Sequence, residues 1–382
     1  MGFHASYGKT TVSGPVPPVD WRDSVVPETE WPLGELDAIL AALQSLEGAN
    51  RDAVLATAVQ VNGSSYRRPG ARMLMVPDGR RIGCVTGANL DTEVAKQAWW
   101  LTASGVPVVQ SFGPILVVLE RTNTPELAQV AEFLDSHRKL RKPVVIATAI
   151  RVAAVTGVRP GDRLLVDESW ARQGALTGSP IETQTLTHCA AALREKKSRL
   201  ARLGQADVFV EWIGPAQSLM IFGGGRDTIP LLYFARRLGW DVTVVDRERS
   251  GDPLTGIAVD EETAVVLMTH DYALDAVLLR RMLPLRPAYL GLLGPKKRAE
   301  KLFTEIGLTP GPNVHAPAGL DLGGDAPEIV ALSIVAEIQA AMSHRVGGML
   351  KRRAGSIHVA VLEKGLPNED SLPVKVSHAR HG

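Results

Sequence analysis

A chain of 382 residues, 45% hydrophobic and 22% charged, has the length for two or three domains and the composition of a globular protein rather than a disordered one. Its 42 basic residues balance 41 acidic ones, which leaves no electrostatic footprint for nucleic acid or an acidic membrane surface, and no apolar run approaches the ~20 residues that span a bilayer. Two cysteines, Cys84 and Cys189, exclude a disulfide framework and a four-cysteine zinc site; with no apolar signal region at the start, a cytoplasmic setting is expected.

Taken in order, residues 1–31 are rich in glycine, proline and serine, lack periodicity, and read as a flexible or surface-wrapping arm. Leu33, Leu36, Ile39, Leu40, Leu43 and Leu46 fall on one face at helical spacing and predict a helix closed by Gly48 and Asn50. Segments 54–61 and 72–76 read as strands, and Asp78-Gly79 turns the second into a hairpin with 81–86. A helix is expected over 91–104 and short strands over 106–112 and 115–120. Thr124-Pro125-Glu126 starts another helix, a capping hydroxyl followed by proline in the first turn. Strands at 144–150, 153–155 and 163–166 follow, then one long helix over 181–203 and a strand over 206–213. No internal repeat stands out.

From Ser218 the rhythm changes to strand–helix alternation. Strands are expected at 218–222, 241–245, 264–269 and 288–293, with helices at 229–238, 274–283, 296–306 and 326–342. That spacing predicts a parallel sheet covered on both faces. The expected class is α/β: an N-terminal mixed α/β domain with hairpins over 32–210, a C-terminal Rossmann-like, doubly wound parallel sheet over 211–345, and a tail over 346–382.

Two segments carry chemistry. The first is Phe222-Gly223-Gly224-Gly225-Arg226-Asp227-Thr228, between an apolar strand and a helix. Gly223 permits a tight turn, Gly225 lets backbone approach a phosphate, and Asp246 ends the next strand where a ribose-binding acid belongs. Thr228 stands where a third glycine would, so the segment either binds a dinucleotide or only packs a strand–helix corner. His270 and Asp271 end a neighbouring strand, where acid–base or metal chemistry and loop hydrogen bonding or helix capping are all open readings; His315 and Asp321 could approach the same rim.

The second is GSSYRRPGARM, two glycines, two serines and three arginines in eleven residues. Backbone N–H groups, hydroxyls and guanidinium forks at Ser64, Ser65, Arg67, Arg68, Gly70 and Arg72 suit a phosphate or carboxylate. Gly87 and Asn89 then open a helix, a second anion or pterin contact. An ordinary hairpin loop is the competing reading of both stretches. Cys84 and Cys189 read as buried structural residues.

The run VLATAVQVNGSSYRRPGARMLMVPDGRRIGCVTGANLD resembles the first domain of the XdhC/CoxI family, accessory proteins of xanthine dehydrogenase and related molybdenum hydroxylases. LMIFGGGRDTIPLLYFARRLGWDVTVVD, AYLGLLGPKKRAEKLF and HAPAGLDLGGDAPEIVALSIVAEI resemble its second domain, so the likeness covers about 35–345. The resemblance implies a maturation factor rather than a turnover enzyme. Such a protein binds the molybdenum cofactor (molybdopterin, in mono- or dinucleotide form), protects it, assists its sulfuration by a cysteine desulfurase, and inserts it into an apo molybdenum hydroxylase. It also implies a homodimer, and places the family loop on Gly63, Ser64, Ser65, Arg67, Pro69, Gly70 and Ala71. The chain departs from the family at Asn89, where a cysteine is usual, at Tyr66, and at the glycine turn, where G-x-G-H-V-G is frequent. An NAD(P)-dependent oxidoreductase using Gly223, Gly225 and Asp246, and a scaffold docking hydroxylase and sulfurtransferase, are the alternatives.

Overall fold

A computed structural model describes residues 33–62, 67–153, 157–245 and 259–352. The chain opens with α1 (Glu35–Gly48), β1 (Val54–Val61), β2 (Arg72–Met75), β3 (Arg81–Gly83), α2 (Ala88–Leu101), β4 (Val108–Phe112) and β5 (Ile115–Arg121). These strands form one antiparallel sheet in the order β3-β2-β1-β5-β4. Next come α3 (Pro125–Lys139), β6 (Val144–Val152), β7 (Arg163–Asp167), β8 (Arg172–Gln173), α4 (Glu182–Glu195), β9 (Arg199–Arg202) and β10 (Ala206–Ile213). Their antiparallel sheet has the order β8-β7-β6-β10-β9.

The second series of elements repeats the first. Element types, connections and sheet order are the same, and an offset of 91 residues carries Gly70 to Gly161, Arg72 to Arg163 and Glu120 to Glu211. The repeat not seen in the sequence is therefore present. It is hidden because most shared positions are apolar strand residues that any two sheets would share, and the one literal echo is short: Arg68-Pro69-Gly70-Ala71-Arg72 against Arg159-Pro160-Gly161-Asp162-Arg163. The two sheets stack on each other. Leu55, Leu74, Ile146 and Leu165 bury one common core with α1 and α3, while α2 covers the outer face of the first sheet and α4 that of the second.

The long helix expected over 181–203 is a correction. Lys196 takes left-handed geometry (φ 53°) and ends α4, and the charged stretch beyond it is β9, paired antiparallel with β10. As an edge strand β9 buries Ala201 and exposes Arg202, which is how charge and strand coexist there.

The C-terminal part contains β11 (Ser218–Phe222), α5 (Thr228–Arg237), β12 (Asp241–Val245), β13 (Thr263–Leu267), α6 (Tyr272–Met282), β14 (Tyr289–Leu292), α7 (Lys296–Ile306), β15 (Val314–His315) and α8 (Pro327–Met342). All strands are parallel, in the order β12-β11-β13-β14-β15. Strands β11, β13 and β14 are buried at every position, so they read as continuous apolar runs. Helices α5 and α8 cover one face, α6 and α7 the other. The winding direction reverses between β11 and β13, and their carboxyl ends form the switch point where ligands of such sheets bind.

The described contacts between the two parts lie at the opposite, amino edge of this sheet. Arg138, paired with Asp37 inside the first part, donates across to the Gly239 carbonyl at 2.7 Å. Lys196 meets Glu262 at 2.7 Å, and Arg141 lies 3.9 and 3.8 Å from Asp241 and Asp260. No helix among the described residues is long and apolar enough to cross a membrane.

Candidate functional site

A cleft of about 480 Å³ opens where the arginine loop meets the start of α1 and the end of β10. That is a volume suited to a small organic ligand. Arg67, Arg68, Pro69, Gly70, Ala71 and Arg72 form one side; Glu35, Leu36, Ile39, Ser198, Glu211, Trp212 and Ile213 form the rest. Four of the anticipated residues, Arg67, Arg68, Gly70 and Arg72, thus come together. Ser64 and Ser65 lie outside the described residues.

The loop is built by glycine and by charge. Gly70 has φ 98°, open to glycine and strained for other residues, and a Cβ there would lie 2.6 Å from Glu211 Oε1. Only a bare Cα admits that carboxylate. Arg72 then grips Glu211 with both ends of its fork, Nη1 to Oε1 at 2.9 Å and Nη2 to Oε2 at 2.7 Å, and Nη1 also donates to the Gly70 carbonyl at 2.9 Å. Burial tends to lower the Arg72 pKa, but the charge and hydrogen bonds of Glu211 outweigh it and hold the value above that of a free arginine. Arg72 is therefore a clamp at the cleft floor. Arg67, by contrast, sits nearer the mouth and pairs with Glu35, both side chains about a third exposed.

Sequence reasoning missed both carboxylates. Glu211 had a signal, a single acid inside the apolar run 208–212; Glu35 had none. Gly87 and Asn89 are exposed and stand at the N-terminus of α2, outside the cleft lining. Buried Asp91 fixes that turn by accepting from the Thr86 N–H at 2.9 Å and the Val85 N–H at 3.2 Å. Cys84 lies close enough to feel Arg67, Glu35 and Asp91. Burial pushes its thiol pKa up, Glu35 and Asp91 add to that, and Arg67 opposes it, so the protonated thiol is favoured. Cys189 is fully buried and its thiol is pushed up to about 12.

The glycine turn is a separate place. Gly223 has φ 153°, and a Cβ on it would stand 2.5 Å from the Met268 carbonyl oxygen, so the turn needs glycine where β11 and β13 meet. Thr228 donates through Oγ1 to the Gly225 carbonyl at 2.7 Å. The Asp227 carboxylate rests against Gly225, and His270 Nε2 lies 2.8 Å from its other oxygen. His270 is thus joined to the glycine turn, itself in left-handed geometry (φ 55°). Asp271 caps α6, accepting from the N–H groups of Ala273 and Leu274 at 3.0 and 3.1 Å. His315 stacks on Tyr289 and lies 3.1 Å from Glu337, while Asp321 is exposed. Asp246 lies outside the described residues. Among the described residues no group of three histidine, cysteine or acidic side chains could hold a metal ion.

The arginine cleft borders the amino edge of the parallel sheet, since β10 leads directly into β11. The glycine turn lies at the far end of β11, and five residues of strand span roughly 16 Å. The two features do not face each other within one chain.

Comparison with known families decides what this architecture is. The XdhC and CoxI family matches residues 46–113 and again 137–204, one match on each half of the duplication, and the XdhC Rossmann domain matches 219–338. The chain belongs to the XdhC and CoxI family. Among relatives of this XdhC-type chain, a probable xanthine dehydrogenase subunit from Bacillus subtilis (strain 168) is 27% identical over 330 residues, 78% of this chain and 95% of that protein. The "Molybdenum cofactor insertion chaperone PaoD" of Escherichia coli (strain K12) is 24% identical over 318 residues, 78% of this chain and 86% of its own. A crystal structure described as a xanthine dehydrogenase from Bacillus halodurans superposes with a TM-score of 0.64 at 24% identity, covering 82% of this chain and 97% of that one, which shows a shared fold.

Proposed function

We propose that this XdhC-type protein carries the molybdenum cofactor and inserts it into an apo molybdenum hydroxylase of the xanthine dehydrogenase type. The observation that carries this reading is the cleft at the family's own loop, with Arg67 at its mouth and an apolar wall of Leu36, Ile39 and Ile213 behind it. A molybdopterin offers a phosphate and a flat heterocycle, and an arginine beside apolar side chains suits both. Two relatives support it by name, one as part of a xanthine dehydrogenase and the other as a molybdenum cofactor insertion chaperone.

In this role the chain's work is to bind, shelter and release. Arg67 takes the phosphate, Arg72 and Glu211 hold the loop in shape, and the apolar wall keeps water from one face of the guest. With asparagine at 89 and a protonated Cys84, the protein grips its cargo without a thiolate of its own, which favours release. Sulfuration by a cysteine desulfurase partner and function as a homodimer complete the proposal. The test is anaerobic incubation with molybdopterin, desalting, and oxidation of whatever remains bound to its fluorescent derivative. Stoichiometric retention, together with loss of hydroxylase activity in a deletion strain, is expected. No retention and an active hydroxylase in the deletion strain would reject the role.

A further inference from the structure

The duplication supplies an internal control for the cleft, because each cleft residue has a counterpart in the other half. Arg68, Pro69, Gly70, Arg72 and Glu211 recur as Arg159, Pro160, Gly161, Arg163 and Glu120. Their geometry recurs with them. Gly70 and Gly161 have φ 98° and 93°. Gly70 donates to the Ala58 carbonyl at 2.7 Å and Gly161 to the Ala149 carbonyl at 2.8 Å. Arg72 clamps Glu211 as Arg163 clamps Glu120. A feature present in both halves builds the fold of both, so it does not by itself distinguish a guest.

The second half is closed where the first is open. Val158 stands in place of Arg67 and is buried in the core of that half. Asp162 stands in place of Ala71, and its carboxylate accepts from the Arg159 N–H at 2.8 Å. Pro107 stands in place of Ser198 and lies directly on Gly161: a Cβ there would meet the proline ring at 2.5 Å. Leu127 of α3 is 2% exposed, whereas its counterpart Leu36 is only partly buried and lines the cleft.

We infer that Arg67, Ala71 and Ser198, three of the cleft positions where the halves differ, set the selectivity of the cleft for a phosphate-bearing planar guest, and that the second half is a structural copy that takes no guest. This rests on the carrier reading above. Arg67 supplies the cation that its counterpart lacks. Ala71 keeps a carboxylate away from the incoming phosphate, and Ser198 leaves Gly70 uncovered where proline would seal it. These are positioning and selectivity roles, and they assign no role in chemistry to any of the three.

The test is anaerobic titration of the full chain with molybdopterin, comparing wild type, Arg67→Val, Ala71→Asp and Arg159→Ala, with thermal unfolding of each. Arg67→Val and Ala71→Asp each copy the closed half and are expected to weaken binding at least tenfold, while Arg159→Ala stays within twofold of wild type. Ala71 is buried, so Arg67→Val, at a part-exposed position, decides the matter if Ala71→Asp does not fold. Wild type that binds while Arg67→Val binds equally well, or Arg159→Ala that weakens binding as much as Arg67→Val, overturns this inference and leaves the carrier role standing. Wild type that does not bind overturns this inference and, with an active hydroxylase in the deletion strain, the carrier role as well.

Discussion

Arg72 on β2 and Glu211 on β10 join the two stacked sheets through a bidentate pair, and Arg163 and Glu120 repeat it with contacts of 2.8 and 2.6 Å. All four side chains are nearly buried, at 13% and 8% exposure for one pair and 10% and 3% for the other. Removing one partner of such a pair strands a charge in a dry interior, a loss of about 3–5 kcal/mol. Arg72→Ala and Arg163→Ala should therefore destabilise the first domain by similar amounts in urea unfolding, although only Arg72 borders the cleft. Replacing both members of a pair with apolar residues should restore most of the loss. A mild effect of Arg72→Ala beside a severe one of Arg163→Ala would mean that Arg72 is held for a guest rather than for the fold.

That pairing also shows where the sequence stops being readable. Periodicity locates α1, strand–helix alternation locates α5, α7 and α8, and the buried runs of β11, β13 and β14 locate the parallel sheet, because burial on both faces leaves an uninterrupted apolar signature. The strands that escape detection, β8, β9 and β15, are short and lie at sheet edges, where one side meets solvent and the pattern is diluted. The arginine loop is legible as an anion-seeking composition. Its partners are not, since Glu35, Ser198 and Glu211 reach it only through tertiary packing. Arg72 looks like a ligand in the sequence and is a clamp in the fold for the same reason.

The Arg67–Glu35 pair is part exposed, so it contributes little to stability, about 0–1 kcal/mol. Its effect on binding should be larger in proportion, because an incoming phosphate must draw Arg67 away from Glu35. Glu35→Gln is expected to leave the unfolding midpoint nearly unchanged and to tighten molybdopterin binding roughly fivefold, the equivalent of ~1 kcal/mol. Slower release to the hydroxylase should accompany it in a transfer assay. Weaker binding on Glu35→Gln would show that Glu35 orients Arg67 instead of competing for it.

At the glycine turn the Asp227 carboxylate, held by His270, lies against Gly225 at the start of α5, where a dinucleotide phosphate would otherwise rest. The wild-type chain should bind NADH weakly for that reason. Asp227→Asn removes the like charge and should strengthen any NADH binding, read by nicotinamide fluorescence, whereas Gly223→Ala should weaken it and lower stability by about 1–3 kcal/mol through collision with the Met268 carbonyl. Tight NADH binding by the wild type, with turnover of a small substrate, would favour the oxidoreductase alternative.

Acid stability depends in part on Glu337 of α8. Its Oε2 accepts from the Tyr289 hydroxyl at 2.6 Å and the Gly319 N–H at 2.7 Å, and its Oε1 lies 3.1 Å from His315 Nδ1. Burial alone would raise the carboxyl pKa, but His315, Tyr289 and Gly319 together hold it below the ordinary value. The folded state thus binds this proton less readily than the unfolded one. Its stabilising effect is complete above the unfolded carboxyl pKa, about 4.3, and is lost as pH falls through the lower folded value. Tyr289, pushed up by burial and then by Glu337, keeps its hydroxyl proton and remains a donor throughout that range. Glu337→Gln should lower stability at neutral pH by about 1–3 kcal/mol, and the gap from wild type should close as the solution is acidified. Thermal unfolding at neutral pH and at decreasing pH reads this directly; a gap that stays constant down to strong acid would show that the carboxylate's charge has no part in holding the Gly319 loop to α8.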